Sequence, residues 1–275
     1  MRLGLHVLWG AATVSFVYPL LRDRQRLWLK QRWSRQLLDI LAIRLDAGLS
    51  DAVPGSLIVA NHVSWLDVFA LNAARPTAFV SKSEVRDWPL FGLIATHTDT
   101  VFLRRGSRGH AKAVNTEIDA LLNAEKDVAI FPEGTTTDGS HLLNFHAALL
   151  QPAVETGRLI QPVALSYHAA DGCRSLAPAY AGETTMAQSL AAILACRSLS
   201  VRLRPTPALK PQDYLGTDDS TVGVRRALAH AARGAIAFKL GLPLASNPPG
   251  TPPGLQGEPP SDDHPTDNPN PAPVA

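Results

Sequence analysis

The distribution of apolar residues changes character several times along the chain. Residues 3–21 read LGLHVLWGAATVSFVYPLL, with no Asp, Glu, Lys or Arg over 19 residues, a helical length of about 28 Å at 1.5 Å per residue. That is barely the thickness of a bilayer core, and His6, Gly4, Gly10 and Pro19 weaken the segment further. The next stretch, RDRQRLWLKQRWSR (22–35), carries six basic side chains and one acid, interleaved with Leu27, Trp28, Leu29 and Trp33. From Ser34 onward Leu37, Leu38, Leu41 and Leu45 recur at helical spacing and predict an amphipathic helix.

The body then alternates. Short apolar or β-branched runs at SLIVA (56–60), TAFVS (77–81), TVFL (100–103), DVAIF (127–131), IQPVALSY (160–167) and SVRLR (200–204) predict strands. Helix-like stretches separate several of them, at 64–74, 109–124 and 144–156, and another follows at 220–240. Strand and helix in alternation predict an α/β fold with a largely parallel or mixed sheet flanked by helices. In such sheets, sites collect where the carboxyl ends of strands lead into loops. No internal repeat is present.

From Ser246 the pattern ends: ten of the last thirty residues are proline and almost none is a large hydrophobe, too little apolar surface to form a core. The expected organisation is a membrane-associated segment 1–33, an α/β domain 34–245 and a disordered tail 246–275.

Charge modifies this picture only locally. The chain has 26 Lys+Arg against 24 Asp+Glu, but Glu258, Asp262, Asp263 and Asp267 all lie in the tail, so the body is more basic than the whole. Such an excess suits an anionic membrane or an acidic partner and is too diffuse to argue for nucleic acid. Cys173 and Cys196 exclude a disulfide scaffold and contain no C-x-x-C zinc motif; they are expected to be small buried hydrophobes in a reducing compartment.

Tryptophan among basic residues beside an apolar run suits the cytoplasmic face of a membrane. A signal peptide fits less well, because the dense charge follows the apolar run instead of preceding it. A buried helix with a solvated charged neighbour is the other reading. The length of the segment does not decide between spanning the bilayer and dipping into one leaflet; if it spans, its flanking charge puts the rest of the chain in the cytoplasm.

Three segments carry candidate chemistry. In ANHVSWLDVF (60–69), His62 and Asp67 are five residues apart, about 140° around an ideal helix, so they share no helical face. They meet only if His62 sits in the turn before a helix and Asp67 in its first turn. Ser64 and Asp67 have the spacing of a capping box, which favours that geometry. Asp67 then either caps the helix and leaves His62 a polar loop residue, or holds one imidazole nitrogen while the other takes a proton from a hydroxyl. Histidine titrates near pH 6.5 when unperturbed, so a neutral base is available. This is the base–orienter half of a triad, with a substrate hydroxyl in place of the serine. Ser64 is a poor hydrolase nucleophile, since no G-x-S-x-G surrounds it.

The second segment, FPEGTTTDG (131–139), follows a strand run and offers backbone N–H groups and hydroxyls to an oxygen-rich ligand, or is an ordinary Pro/Gly turn. Glu133 stands where a strand ends, a costly place for a carboxylate without hydrogen bonds or solvent. In the third, TVFLRRGSRGH (100–110), Arg104 and Arg105, with Arg108 close behind, suit phosphate or carboxylate recognition or form a solvated turn.

Taken in order, NHVSWLD, VFLRR, FPEGT and a later strand bearing Pro162 in QPVAL resemble the glycerolipid acyltransferase family. The likeness is to its 1-acylglycerol-3-phosphate branch and related bacterial lysolipid acyltransferases. SKSEVRDWPLFG (81–92) also looks like that family, and the resemblance covers roughly residues 34–205.

The resemblance implies that His62 deprotonates the acceptor hydroxyl while Asp67 holds the ring, and that the hydroxyl attacks the thioester of acyl-CoA or acyl-carrier protein. It assigns Arg105, with Arg104 assisting, to an anionic head, and Glu133, Gly134 and Thr135 to the lining of that site. It calls for no metal and no bound cofactor, only membrane lipids and the acyl donor as partners, at the cytoplasmic side of the inner membrane. One departure stands out: phosphate-using members commonly read FPEGTR, whereas Thr136 holds that arginine's place here. This pattern looks like the subgroup that includes lyso-ornithine lipid acyltransferases, so 1-acylglycerol-3-phosphate and lyso-ornithine lipid both stay open as acceptors. The alternatives are a non-catalytic membrane lipid-binding protein on the same fold, or a hydrolase with water as acceptor.

Overall fold

Apolar runs with no polar alternation become strands here because both of their faces are covered. The computed structural model describes residues 1–49, 52–103, 108–215 and 220–243. Among these residues seven strands form one sheet: β1 (Ile43–Ala47), β2 (Leu57–Ala60), β3 (Ala78–Lys82), β4 (Thr100–Leu103), β5 (Val128–Ile130), β6 (Ile160–Ala169) and β7 (Leu199–Pro205). Their order is β1-β7-β6-β2-β5-β3-β4. Every pairing is parallel except β6 with β7, so the sheet is mixed, as the sequence predicts.

Alternate residues of β2 serve opposite cores. Ile58 and Ala60 pack with helices α2 (Asp23–Ile40), α3 (Leu66–Ala74) and α7 (Met186–Ala195) on one face. Leu57 and Val59 pack with α5 (Arg108–Asn123), α6 (Gln151–Thr156) and α8 (Thr221–Leu240) on the other. Helix α4 (Phe91–Thr96) lies between β3 and β4 in sequence. Of the predicted 144–156 helix, only the end is α-helical. Residues Ala147–Leu150 form a 3-10 turn, and α6 starts at Gln151 with Pro152 in its first turn.

The predicted amphipathic helix from Ser34 through Leu45 is corrected at both ends. Helix α2 starts at Asp23 and stops at Ile40, Ala42 takes a left-handed φ of 55°, and Leu45 lies on β1. Leu45 follows Leu41 by four residues and so prolongs the helical pattern. Ile43 and Leu45, two apart, equally satisfy a strand, and the parallel partner β7 decides the matter.

The N-terminal apolar run forms α1 (Arg2–Ala12), continued by a π turn at Thr13–Val17 and a 3-10 turn at Tyr18–Leu20. Its inner side is fastened to α2. The His6 ring stacks on the Trp33 indole at 4.6 Å, Trp33 Nε1 donates to the His6 carbonyl at 3.2 Å, and a Cβ on Gly10 would come within 2.6 Å of that indole nitrogen. Helix α2 is in turn tied to the sheet by Lys30, whose buried ammonium donates to the carbonyls of Thr77 (2.6 Å) and Thr98 (2.8 Å). Burial pushes this lysine down to about 8. Residue 33 therefore falls inside a continuous helix, and residues 1–244 make one compact unit. The tail 246–275 lies outside the described residues. The cysteines are not buried as expected: Cys173 is exposed in the turn after β6, and Cys196 is partly exposed at the end of α7.

Candidate active site

Strands β2 and β5 are parallel neighbours, so the loops at their carboxyl ends emerge side by side. Those two loops carry His62 and the FPEGT sequence. Asn61 sets the exit from β2: its side-chain amide donates to the Leu165 carbonyl at 3.0 Å and accepts from the Leu165 N–H at 2.8 Å, continuing the ladder to β6 with side-chain atoms. The backbone is thereby free to turn out of the sheet at His62.

Asp67, in the first turn of α3, is fully buried. Its Oδ2 accepts from His62 Nδ1 at 2.8 Å, from the Val63 N–H at 2.7 Å and from the Ser64 N–H at 2.9 Å. Its Oδ1 accepts from the Tyr167 hydroxyl at 2.7 Å. The carboxylate caps the turn and also holds the imidazole. The capping geometry is a variant of the expected box, because Ser64 Oγ accepts from the Leu66 N–H at 3.3 Å instead of from Asp67.

A carboxylate only accepts, so His62 Nδ1 carries the proton and Nε2 keeps its lone pair. The ring is 20% exposed and lies flat on Phe131, with centroids 4.0 Å apart. It lines a groove of about 770 Å³ whose walls include Trp9, Phe69, Phe79, Phe91 and Ile94 and whose rim includes Gly134, Thr135 and Thr136. The groove is large enough for a lipid chain and mostly apolar, with the imidazole as a polar group on its wall.

Glu133, which the resemblance assigns to the lining of the acceptor site, is buried and is not among the residues that line this groove. Its Oε1 accepts from the His62 N–H at 2.8 Å and its Oε2 from the Leu143 N–H at 2.9 Å. The His62 carbonyl accepts from the Thr137 N–H at 2.9 Å, so the FPEGT loop grips the His62 peptide on both sides. Arg233 of α8 secures the far end of that loop by donating to the carbonyls of Leu142 and Leu143, each at 2.9 Å. Thr136 donates its hydroxyl to the Tyr180 carbonyl, and the Tyr180 N–H donates to the Val63 carbonyl at 2.9 Å, which fastens the segment before α7 across both loops.

Burial pushes the Glu133 carboxyl up to about 7, and the Asp67 charge adds to that; the N–H groups of Leu143 and His62 and the Arg233 guanidinium act in the opposite direction. The folded protein therefore holds this proton more tightly than the unfolded chain, and the group's contribution to stability declines as pH rises from 4.5 to about 7. Chemical denaturation at either end of that window should show wild type losing up to about 3 kcal/mol relative to Glu133→Gln, which cannot titrate. A difference that grows with pH in wild type's favour would contradict this.

Arg104 and Arg105 lie outside the described residues. Tyr167 and Phe131 were not singled out in the sequence. Tyr167 sits one hundred residues from Asp67, and only the run of β6 past the end of β2 brings it there.

Fold and site together define the class: an α/β protein that presents a carboxylate-held imidazole to an apolar groove at the carboxyl end of a central strand. The chain belongs to the acyltransferase family, whose family model matches residues 49–166. It is 37% identical over 216 residues to the lyso-ornithine lipid O-acyltransferase of Pseudomonas aeruginosa, covering 77% of this chain and 80% of that protein. It is also 37% identical over 165 residues to the 1-acyl-sn-glycerol-3-phosphate acyltransferase of Neisseria meningitidis, but that match covers 58% of this chain and only 64% of the relative. Among solved structures, the 1-acyl-sn-glycerophosphate acyltransferase PlsC from Thermotoga maritima superposes with a TM-score of 0.60 over 89% of this chain and 97% of that one, at 19% identity. At that identity the likeness is one of fold.

Proposed function

We propose that the protein is a lysolipid O-acyltransferase, moving a fatty acyl chain from the thioester of acyl-CoA or acyl-carrier protein to the free hydroxyl of a lysolipid. The observation that carries this reading is the His62–Asp67 pair on the wall of the apolar groove. Nε2 of His62 takes the acceptor's hydroxyl proton as its oxygen attacks the thioester carbonyl, and the imidazolium formed is stabilised by Asp67. The tetrahedral adduct collapses with loss of the thiolate, which recovers the proton from Nε2. An ester and a free thiol result, and the base is regenerated without metal or cofactor. Glu133 serves this chemistry indirectly, by fixing the peptide that bears His62.

The acceptor is a lysolipid of one of two kinds, 1-acylglycerol-3-phosphate or lyso-ornithine lipid, the substrates in the names of the bacterial relatives. Arg105, assisted by Arg104, is assigned to the anionic head on the resemblance alone, and Gly134 and Thr135 line the groove. Thr136 adds no charge, and its hydroxyl is occupied with the Tyr180 carbonyl. The test is transfer of labelled acyl chain to a panel of both lysolipids. Wild type is expected to acylate at least one, and Thr136→Arg to shift the ratio of rates toward the phosphate monoester by about tenfold, the size of one added charge-assisted contact. Acylation of neither lysolipid would sink the assignment.

The lipid acceptor calls for membrane access. The 2–20 segment is long and apolar enough to cross a bilayer, but a third of it is buried within the protein. A helix fastened along one side to its own domain suits a position in the plane of the interface, with its other side in lipid. Leu5, Leu8, Trp9, Phe16 and Leu20 make that outer side, and the exposed Arg22, Arg24 and Arg32 of the following segment suit anionic headgroups. The protein thus attaches to the cytoplasmic side of the inner membrane.

A further inference from the structure

The turn that leads into α4 is built in a way that folding stability alone does not explain. Leu90 has a φ of 62° and a ψ of −47°, a conformation that costs a branched side chain energy and that glycine adopts more readily. Its side chain does not recover that cost by burial, since it is 38% exposed. Trp88 and Leu93 on either side are also exposed, so three large hydrophobes reach solvent within six residues. The turn is tightly closed: a Cβ on Gly92 would lie 2.0 Å from the Arg86 carbonyl oxygen, and the Gly92 N–H donates to the Trp88 carbonyl at 2.8 Å. Strain that displays apolar side chains at a surface points to function.

Two further observations say what covers this surface. Helix α4, into which the exposed turn leads, packs against α1. Trp9 of α1 and Trp88 of the turn are 64% and 43% exposed and both line the groove that reaches His62. The groove is therefore lined by both α1 and the turn. Of the basic side chains, Arg32 and Lys82 line the groove, and Arg22, Arg24 and Arg86 are exposed on the same two segments, with Glu84 and Asp87 the acids near the turn. The Arg86 guanidinium rests over the Phe102 ring at 4.6 Å.

We propose that the turn Arg86–Leu93 is a second lipid-contacting element, which with the outer side of α1 forms a portal through which the lysolipid passes sideways from an anionic leaflet into the groove. This rests on the lysolipid reading and on attachment through α1. Its own content is that the turn must enter the leaflet for a membrane-borne acceptor to reach His62. A lipid moving along such a path keeps its chain in apolar surroundings throughout.

The experiment compares wild type with Leu90→Gly/Leu93→Gln, which removes the apolar tip without touching the groove wall and gives position 90 a residue suited to its backbone. Leu8→Glu/Phe16→Glu disrupts the α1 side alone. Each protein is sedimented with vesicles of phosphatidylethanolamine and phosphatidylglycerol, and assayed with a lysolipid embedded in those vesicles and with a short-chain lysolipid dissolved as monomer. The turn variant is expected to lose about tenfold or more on the embedded acceptor and to stay within about twofold on the soluble one. Equal loss on both acceptors, or none on the embedded one, overturns the portal while leaving the lysolipid reading intact. Failure of wild type to sediment overturns attachment and the portal together, and failure of wild type to acylate even the soluble acceptor overturns the lysolipid reading.

Discussion

Replacing His62 with alanine is expected to lower turnover at least about a hundredfold, the smaller end of what loss of a general base costs. One nitrogen of the side chain is committed to Asp67, and the ring lines the groove; on the proposed mechanism the other nitrogen takes the acceptor's proton. KM for the lysolipid should change little, because the groove holds the chain mainly through apolar walls such as Phe69, Phe79 and Phe91. The stability penalty should be modest: the ring is partly exposed, and what it loses is one hydrogen bond and its stacking on Phe131. A variant that keeps its melting temperature within a few degrees and loses turnover fits a base. One that retains wild-type turnover removes His62 from the chemistry.

Asp67→Asn is expected to damage both activity and stability, and this double effect is diagnostic. Four donors converge on the carboxylate, two of them backbone N–H groups, and all are buried or nearly so. An asparagine whose oxygen takes the Oδ2 place still accepts from His62, Val63 and Ser64, but without charge, and its NH2 group removes the acceptor of the Tyr167 hydroxyl proton, at a cost of about 1–3 kcal/mol. The imidazole also loses the partner that fixes its tautomer, so turnover should fall roughly a hundredfold or more. Tyr167→Phe is the control. It removes a single donor from Oδ1 and leaves the Oδ2 contacts in place, so it should cost about 1 kcal/mol and only a small part of the activity. If Asp67→Asn were fully active and merely less stable, Asp67 would be a helix cap and nothing more.

The strands were readable because they are buried on both sides. A run such as LIVA or VAI has no polar alternation to confuse it with a surface helix, and its flanking turn residues bound it. The first strand was not readable for the opposite reason. It is an edge strand with one buried residue at its start, and its leucine falls in step with the helix before it; what ends that helix is an alanine in a left-handed conformation, which the sequence does not announce. Helix α7 has a signal of its own in the sequence: Thr185 and Gln188 have capping-box spacing and form that box in the structure, but the short apolar run after them has no strong helical period. Segment 81–92 resembled a family stretch as letters, but its strained apolar turn shows only in three dimensions.

At the site, local geometry allows His62 and Asp67 to meet, since both lie within one turn-to-helix junction, but leaves open whether the carboxylate holds the ring or only caps the helix; the hydrogen bond between them decides that. The rest depends on distant contacts. Glu133 was expected among the groups facing the acceptor, and only the side-by-side exit of β2 and β5 shows that it braces the His62 peptide instead. Asn61 reads as one more polar loop residue until its amide is seen in register with Leu165. A linear motif can name residues of a site. Which of them meet the substrate and which support those that do is set by the sheet.

The most direct test of the central claim follows free thiol released from an acyl thioester, with and without lysolipid. If the imidazole activates the lysolipid's own hydroxyl, thiol should appear only when acceptor is present and in equal amount to the acylated lipid formed. Thiol released at the same rate in its absence would make water the acceptor and the protein a hydrolase; no release under either condition, from protein that is folded and membrane-bound, would leave it a lipid-binding relative without the reaction.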